Sequence, residues 1–300
     1  MKDKTFPEKL KRAFLSIIGT SFFGFIPDEM YLKLKYRLLI GEKLNLDNPV
    51  SLNEKIQWIK LNIRDKSHSF MADKQAVRKY IADTIGKDYL VPLIGIWDSV
   101  DDIDFDSLPQ QFIIKCTHDS GSFLKCKDKS SFDIRKAKRW LRKKQNTNYY
   151  YKSREWLYKD VKPRIICEEL LLEKDGSDIV DYKIFCFEGI MKFLRIKYYV
   201  DGELRQQSFD RDWNLIEKPE QLLPGTKIFE KPVGFEDMVR ISEILSAGLP
   251  QLRVDLYNVD GKVYFGEMTY YHGSGFMSLE FEELERKAGD WLVLPDKGLC

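Results

Sequence analysis

The 300-residue chain carries 49 basic and 47 acidic residues, a net charge of +2, and so lacks the bulk positive field of a general nucleic-acid binder. Its 43% hydrophobic content is enough for one large domain or two modest ones. Five cysteines, odd in number and without a Cys-x-x-Cys pair, together with only three histidines, argue against a disulfide framework, a zinc site or a histidine-rich metal centre. They suit reduced thiols in an intracellular protein.

Residues 1–70 read as a helical region. Phe14–Ile26 is apolar and follows basic residues, but it is shorter than the ~20 residues a bilayer span needs. Pro27-Asp28-Glu29 follows it in place of a signal-peptidase site. A buried helix is the first expectation, and peripheral attachment to the inner membrane face is the alternative. Asp28 caps a helical run through Tyr31, Leu34 and Leu38, and Ser51-Leu-Asn-Glu54 has the form of a capping box.

From Ala72 the pattern changes. Lys74 is expected to begin a helix with Val77, Ile81 and Ile85 on its apolar side, ended by Gly86. A lysine in the first helical turn opposes the macrodipole, so Lys74 either is solvent-exposed or faces a phosphate. A strand over Leu90–Trp97 and an acidic linker over Asp98–Pro109 follow. Gln111–Lys125 reads as a strand closed by Lys115, a small-residue loop (His118, Asp119, Ser120, Gly121, Ser122) and a second strand. That loop can offer backbone N–H groups to a phosphate or be an ordinary hairpin, and it is not a Walker A sequence.

Phe132–Lys144 is a predicted helix whose basic run reads as a solvated face, with a polyanion-facing patch as the alternative. Asn146–Trp156, polar and rich in tyrosine, is expected to be a mobile lid or connector. Arg164–Leu172 is a strand in which Glu168 and Glu169 interrupt apolar residues and need partners. Asp181–Phe187, carrying Lys183, and Met191–Tyr199 continue as an antiparallel meander with a turn at Asp201-Gly202. Phe209–Trp213 reads as a polar loop, Pro219, Pro224 and Pro232 mark an irregular connection, and helices are expected over Glu236–Ser246 and Phe281–Trp291.

Arg253–Gly275 reads as a hairpin with one carboxylate on each strand, Asp255 and Glu267. A two-residue loop at Asp260-Gly261 sets Asp255 against Gly266 and turns Glu267 to the other face. A three-residue loop, Val259-Asp260-Gly261, sets Asp255 against Phe265 and leaves Glu267 on the same face at a diagonal distance of ~7–8 Å. On strand parity alone, a shared metal site therefore requires the longer loop.

In order along the chain, Asp73-Lys74, the Ile-Ile-Lys before the small-residue loop, the Ile-Ile-x-Glu-Glu strand and Arg-Val-Asp…Gly-Glu-Met-Thr resemble the ATP-grasp superfamily. NPVSLNEKIQWIKL, ADKQAVRKYI, DYLVPLIGIWD, DYKIFCFEG and RVDLY…YFGEMTYYHGSGF resemble its TupA-like branch, associated with teichuronopeptide and bacterial surface-polysaccharide pathways; the blocks span residues 45–290. The resemblance implies a mixed α/β (α+β) fold holding a nucleotide between two subdomains, with a helical region at 1–70, an ATP-grasp domain at 71–300 and a subdomain break near 163–172.

It further implies a cytoplasmic ligase that uses ATP and Mg²⁺ to activate a carboxylate as an acylphosphate for attack by an amine, acting on a small molecule or saccharide. Lys74 and Lys115 then correspond to the phosphate-contacting lysines, and Ser120, Gly121 and Ser122 to the flexible loop. Glu168, Glu169 and Leu170 correspond to the adenine and ribose hinge, with Lys183 beside it. Asp255, Glu267 and Thr269 correspond to the metal positions, and Arg253 to the residue that stabilises the developing charge. Thr269 replaces the superfamily's usual asparagine, and His118 and Asp119 stand where glycines are common. Arg195, Lys197, Arg205, Arg211 and Gly273-Ser274-Gly275 are candidate substrate contacts or solvated surface. A transferase using a sugar nucleotide is the competing expectation.

Overall fold

A computed structural model describes residues 8–200, 203–217, 226, 228–277, 279 and 282–295. The helical region comprises α1 (Glu8–Ile18), α2 (Asp28–Leu39) and α3 (Leu52–Asn62). The capping box at Ser51 is present, with Glu54 N–H donating to Ser51 Oγ and Ser51 N–H to Glu54 Oε2. α3 is the pillar of this region: Leu52, Ile56, Trp58 and Ile59 are buried in the largest core. The segment Phe14–Ile26 meets the first expectation on one side only: Ile18 is buried, with Leu15, Phe23 and Ile26 packed against the same cluster. Leu10, Phe14 and Ile17 form an exposed stripe at i, i+4, i+7 spacing, and Phe22 and Phe25 are 79% and 77% exposed.

After α4 (Ala76–Thr84), two antiparallel sheets are built. The smaller has the order β1-β4-β2-β3, from β1 (Leu93–Trp97), β2 (Phe112–Cys116), β3 (Phe123–Cys126) and β4 (Ile165–Glu168). It packs on α5 (Ile134–Gln145) through Ile114, Cys116, Leu141 and Ile165. Lys74 precedes α4 and does not begin it. Its N–H donates to Thr117 O (3.1 Å) and the Asp73 carboxylate accepts from Gln75 N–H, which commits this backbone to the neighbouring loop.

Asn146–Trp156 is a packed connector. It forms α6 (Tyr149–Ser153), whose Tyr150 hydroxyl donates to the Asp28 carboxylate at 2.7 Å. Tyr31 Oη donates to Lys152 O (2.8 Å), and the buried Arg154 guanidinium lies 4.5 Å from the centre of the Tyr31 ring.

The larger sheet has the order β7-β6-β5-β8-β9, from β5 (Asp181–Phe187), β6 (Ile190–Val200), β7 (Glu203–Asp210), β8 (Gln251–Val259) and β9 (Lys262–Thr269). Period-two alternation sends Leu252, Val254 and Leu256 of β8 toward α7 (Phe235–Ser246), whose Met238, Ile241 and Leu245 belong to the same core. Arg253, Asp255 and Tyr257 point to the opposite face. Phe209 lies in β7, buried and stacked on Trp213 at 4.5 Å, so Phe209–Trp213 is not a polar loop. The chain closes with α8 (Glu282–Trp291), which docks on α3: Lys55 Nζ donates to Gly289 O and Leu292 O, both at 2.8 Å. Among the described residues Cys116, Cys126, Cys167 and Cys186 are buried free thiols. Asp201-Gly202, Pro219, Pro224, Phe281 and Cys300 lie outside the described residues.

Candidate active site

The hairpin resolves the parity question in a way neither loop length anticipated. Asp260 and Gly261 both have positive φ (53° and 84°) and form a two-residue loop, with Val259 paired to Lys262. The register then shifts by one between Leu256↔Phe265 and Asp255↔Glu267. Gly266 is the extra residue of a β-bulge, and it returns Glu267 to the face of Asp255. A Cβ there would lie 2.9 Å from Asp255 O and 3.1 Å from the Tyr257 ring, so the close approach requires glycine.

Pairing extends this row across the whole sheet, as Ser208 (β7), Arg195 (β6), Lys183 (β5), Asp255 (β8) and Glu267 (β9). Asp255 is buried between two cations. Arg253 Nη2 donates to Asp255 Oδ2 at 2.7 Å, and Lys183 Nζ donates to the same oxygen at 2.6 Å. Burial alone would raise its pKa, but Arg253 and Lys183 outweigh that and hold the carboxyl well below the usual range. Arg253 Nη2 also donates to Glu267 Oε1 (2.9 Å) and approaches Thr269 Oγ1 (3.0 Å), while Thr269 Oγ1 donates to Glu267 Oε1 (2.8 Å). The Glu267 side chain remains 40% exposed. Arg253 Nη1 donates to His272 Nδ1 (2.9 Å), which puts the ring proton on Nε2. Burial, then Arg253 and Arg195, push the His272 pKa well below its ordinary value.

On the facing sheet Lys115 Nζ pairs with Glu168 Oε2 at 2.7 Å, and Arg78 of α4 holds Glu168 Oε1 and Val91 O. Lys74 Nζ donates to Asp119 O and lies 3.9 Å from its carboxylate. Asp119 in turn accepts from Ser122, with Gly121 at φ 72° between them and Ser120 on the same turn. Lys74, Arg78, Lys115, Glu168, Gly266 and Glu267 line one cleft between the sheets, holding about 30 Å³ of space. That is room for a very few waters.

Glu168 therefore joins the cleft, whereas Glu169 and Leu170 do not. They line a separate groove of about 530 Å³ with Ile94, Gln111 and Lys127. Arg78, Asp181 and His272 are members of this constellation that sequence reasoning passed over. Asp181 was reachable, because it sits two residues before Lys183 on the same strand face and accepts from its ammonium. Nothing local marks Arg78, a helix arginine whose partners lie 13 and 90 residues away.

The donor set fits a hard cation: two opposed carboxylates and a hydroxyl, all oxygen. Among the described residues no three His, Cys, Asp or Glu side chains converge to hold a metal unaided. Mg²⁺ characteristically takes one or two carboxylates and completes its shell with phosphate oxygens and water.

A family model described as TupA-like ATPgrasp matches residues 54–293. Among solved structures, a D-alanine–D-alanine ligase from Bacillus anthracis is 15% identical, with 74% of this chain and 66% of that one covered and a TM-score of 0.41. The ATP-grasp ligase PsnB, complexed with a minimal precursor, is 11% identical over 91% of this chain and 70% of that one, at a TM-score of 0.41. The D-cycloserine synthetase DcsG is 15% identical over 75% and 71%, at 0.38. The chain spans just under two thirds of the length of the first of these. No curated protein matches it.

Proposed function

The chain belongs to the TupA-like ATP-grasp family, and from that premise we propose that it is an ATP-dependent carboxylate–amine ligase working through an acylphosphate. The observation that carries this reading is the direct opposition of Asp255 and Glu267, with Arg253 and Lys183 beside them. Phosphoryl transfer needs little covalent help from a protein and much positioning of charge, which a row of this kind supplies.

Asp255, Glu267 and Thr269 would hold Mg²⁺, which when bound neutralises charge on the β- and γ-phosphates of ATP. Asp255 stays ionised at neutral pH and fixes Arg253 and Lys183 by its two oxygens. Glu267, partly exposed, is the carboxylate able to turn toward an incoming ion. Lys74 and Lys115 meet phosphate oxygens, and Glu168 keeps Lys115 in position until they arrive. The turn Ser120-Gly121-Ser122 folds over the phosphates, and of the strand end only Glu168 borders the nucleotide, since Glu169 and Leu170 line the separate groove. Arg253 steadies the negative charge that develops when the amine attacks.

The test is incubation with Mg-ATP and panels of carboxylates and amines, following ADP and phosphate. ADP release that depends on a carboxylate supports the ligase. Release of UDP from UDP-sugars without ATP overturns it.

We further assign the acceptor to the class of bacterial surface-polysaccharide precursors, a saccharide joined to an amino acid or similar group. The order of the blocks quoted above supports this assignment. No helix among the described residues is long and apolar enough to cross a membrane. We assign the enzyme to the cytoplasm, with the stripe of Leu10, Phe14 and Ile17 and the neighbouring Phe22 and Phe25 meeting the inner membrane face. Sedimentation with anionic vesicles that survives Phe14→Ser/Phe22→Ser/Phe25→Ser would sink that assignment.

A further inference from the structure

The charge along the site row changes sign from one edge to the other. Glu267 and Asp255 lie on β9 and β8, and Lys183 and Arg195 follow on β5 and β6. One step along β6 on the same face stands Lys197, opposite Asp181. Lys183 is matched to Asp255 and Asp181, and Arg253 to Asp255 and Glu267. The Lys197 ammonium has no hydrogen bond or ion pair among the described residues. It is nevertheless partly buried, and burial, then Lys183, Arg253 and Arg195, press its pKa down against the opposing pull of Asp181. A second donor is also unused: His272 Nε2, in a residue 5% exposed, has no partner among the described residues. The ring lies within the field of both Arg195 and Lys197.

A partly buried ammonium faced by three cations and one carboxylate, Asp181, which Lys183 already holds, together with a buried N–H without an acceptor in the same field, is an arrangement suited to a further anion. That anion is not the nucleotide's. Lys74 and Lys115 line the cleft at the β9 edge, and at about 4.8 Å per strand β6 stands about 14 Å farther across the sheet. We propose that Lys197, with His272 and Arg195, forms a subsite for a second anionic group of the substrate, a carboxylate or phosphate other than the carboxylate being activated. The inference rests on the ligase reading and narrows it, since a substrate bearing only one carboxylate would leave this flank unmatched.

The test is titration calorimetry on the full chain. Mg-ADP is titrated first, then D-glucuronate and, separately, inorganic phosphate, each into protein saturated with Mg-ADP. Wild type is expected to bind at least one of the two anions saturably. Lys197→Met should weaken that binding by about 10–100-fold, the worth of one charge-assisted hydrogen bond, with Mg-ADP affinity unchanged. Lys197→Arg should retain most of it. Tighter binding of glucuronate assigns the group as carboxylate, and tighter binding of phosphate as phosphate. The inference falls if wild type binds neither anion, if Lys197→Met binds them as wild type does, or if Mg-ADP affinity drops in parallel. Failure of wild type to bind Mg-ADP strikes the ligase reading itself and removes the inference with it.

Discussion

Asp255 faces Glu267 directly across β8 and β9 because Gly266 occupies a position with no partner on the opposite strand. Without that extra residue the two-residue loop would set Asp255 against Gly266 and send Glu267 to the other face. A methyl group at 266 meets Asp255 O at 2.9 Å, so Gly266→Ala must move backbone that carries a carboxylate. The expected cost is about 1–3 kcal/mol of stability, as for other overpacked sites, with a parallel loss of Mg-ADP affinity. Urea unfolding and calorimetry read both, and a variant unchanged in each would show the bulge to be dispensable.

Glu267→Gln separates charge from shape. The side chain is 40% exposed, so stability should hold to within about 0.5 kcal/mol. Turnover, followed as ADP release, should fall about 100-fold or more, because a cation on the phosphates contributes several kcal/mol to the transition state. Near-normal turnover would remove Glu267 from the metal site.

The two glutamates that end β4 diverge, and their variants should as well. Lys115→Met, which removes the cation paired with Glu168, should weaken Mg-ATP binding by about 10–100-fold. Glu169→Ala, altering the separate groove, should leave it within about twofold. Equal losses would mean that the nucleotide reaches both sides of the small sheet.

Lys60 of α3 is buried, and its Nζ donates to Ser153 O (2.9 Å), Ser274 O (2.7 Å) and Ser274 Oγ (2.8 Å). Lys60→Met leaves those acceptors without a donor and the buried Glu155 with Lys35 as its remaining cation, and should cost about 3–5 kcal/mol. Burial, opposed by Glu155, lowers the Lys60 pKa to about 7, and burial lowers that of Lys35 to about 8. The unfolded chain keeps these protons to about 10.5 and so binds more of them across that window. Stability gained by raising the pH from 7.5 to 9.5 should be larger in wild type than in Lys60→Met. Identical pH slopes in urea unfolding would contradict it.

Local rules carried much of the fold. The Ser51–Glu54 box, the β5 alternation and the amphipathic α7 are each specified by residues a few positions apart, and each forms where its pattern lies. What resisted reading depends on distant partners. The bulge at Gly266 is visible only once β8 supplies the register, and Arg78 matters only because Glu168 arrives from 90 residues away. Asn146–Trp156 has the composition of a loop yet is tethered by Asp28 and Tyr31, more than 100 residues earlier. The Leu10–Ile17 stripe carries the periodicity of a core helix, and periodicity does not say whether protein or another phase covers it.

The docking of α3 on α8 sets the order in which the chain can be completed. α3 leaves a ribosome well before α8, and Lys55 must wait for the carbonyls of Gly289 and Leu292, more than 230 residues later. At about 5–20 residues per second that interval is roughly ten to fifty seconds, during which the core of Ile56 and Ile59 lacks Leu284, Ala288 and Leu292. Nascent chains halted before residue 280 should therefore be protease-sensitive and chaperone-bound throughout their first 70 residues. α3 is thus made early relative to α8 and fastened to it late.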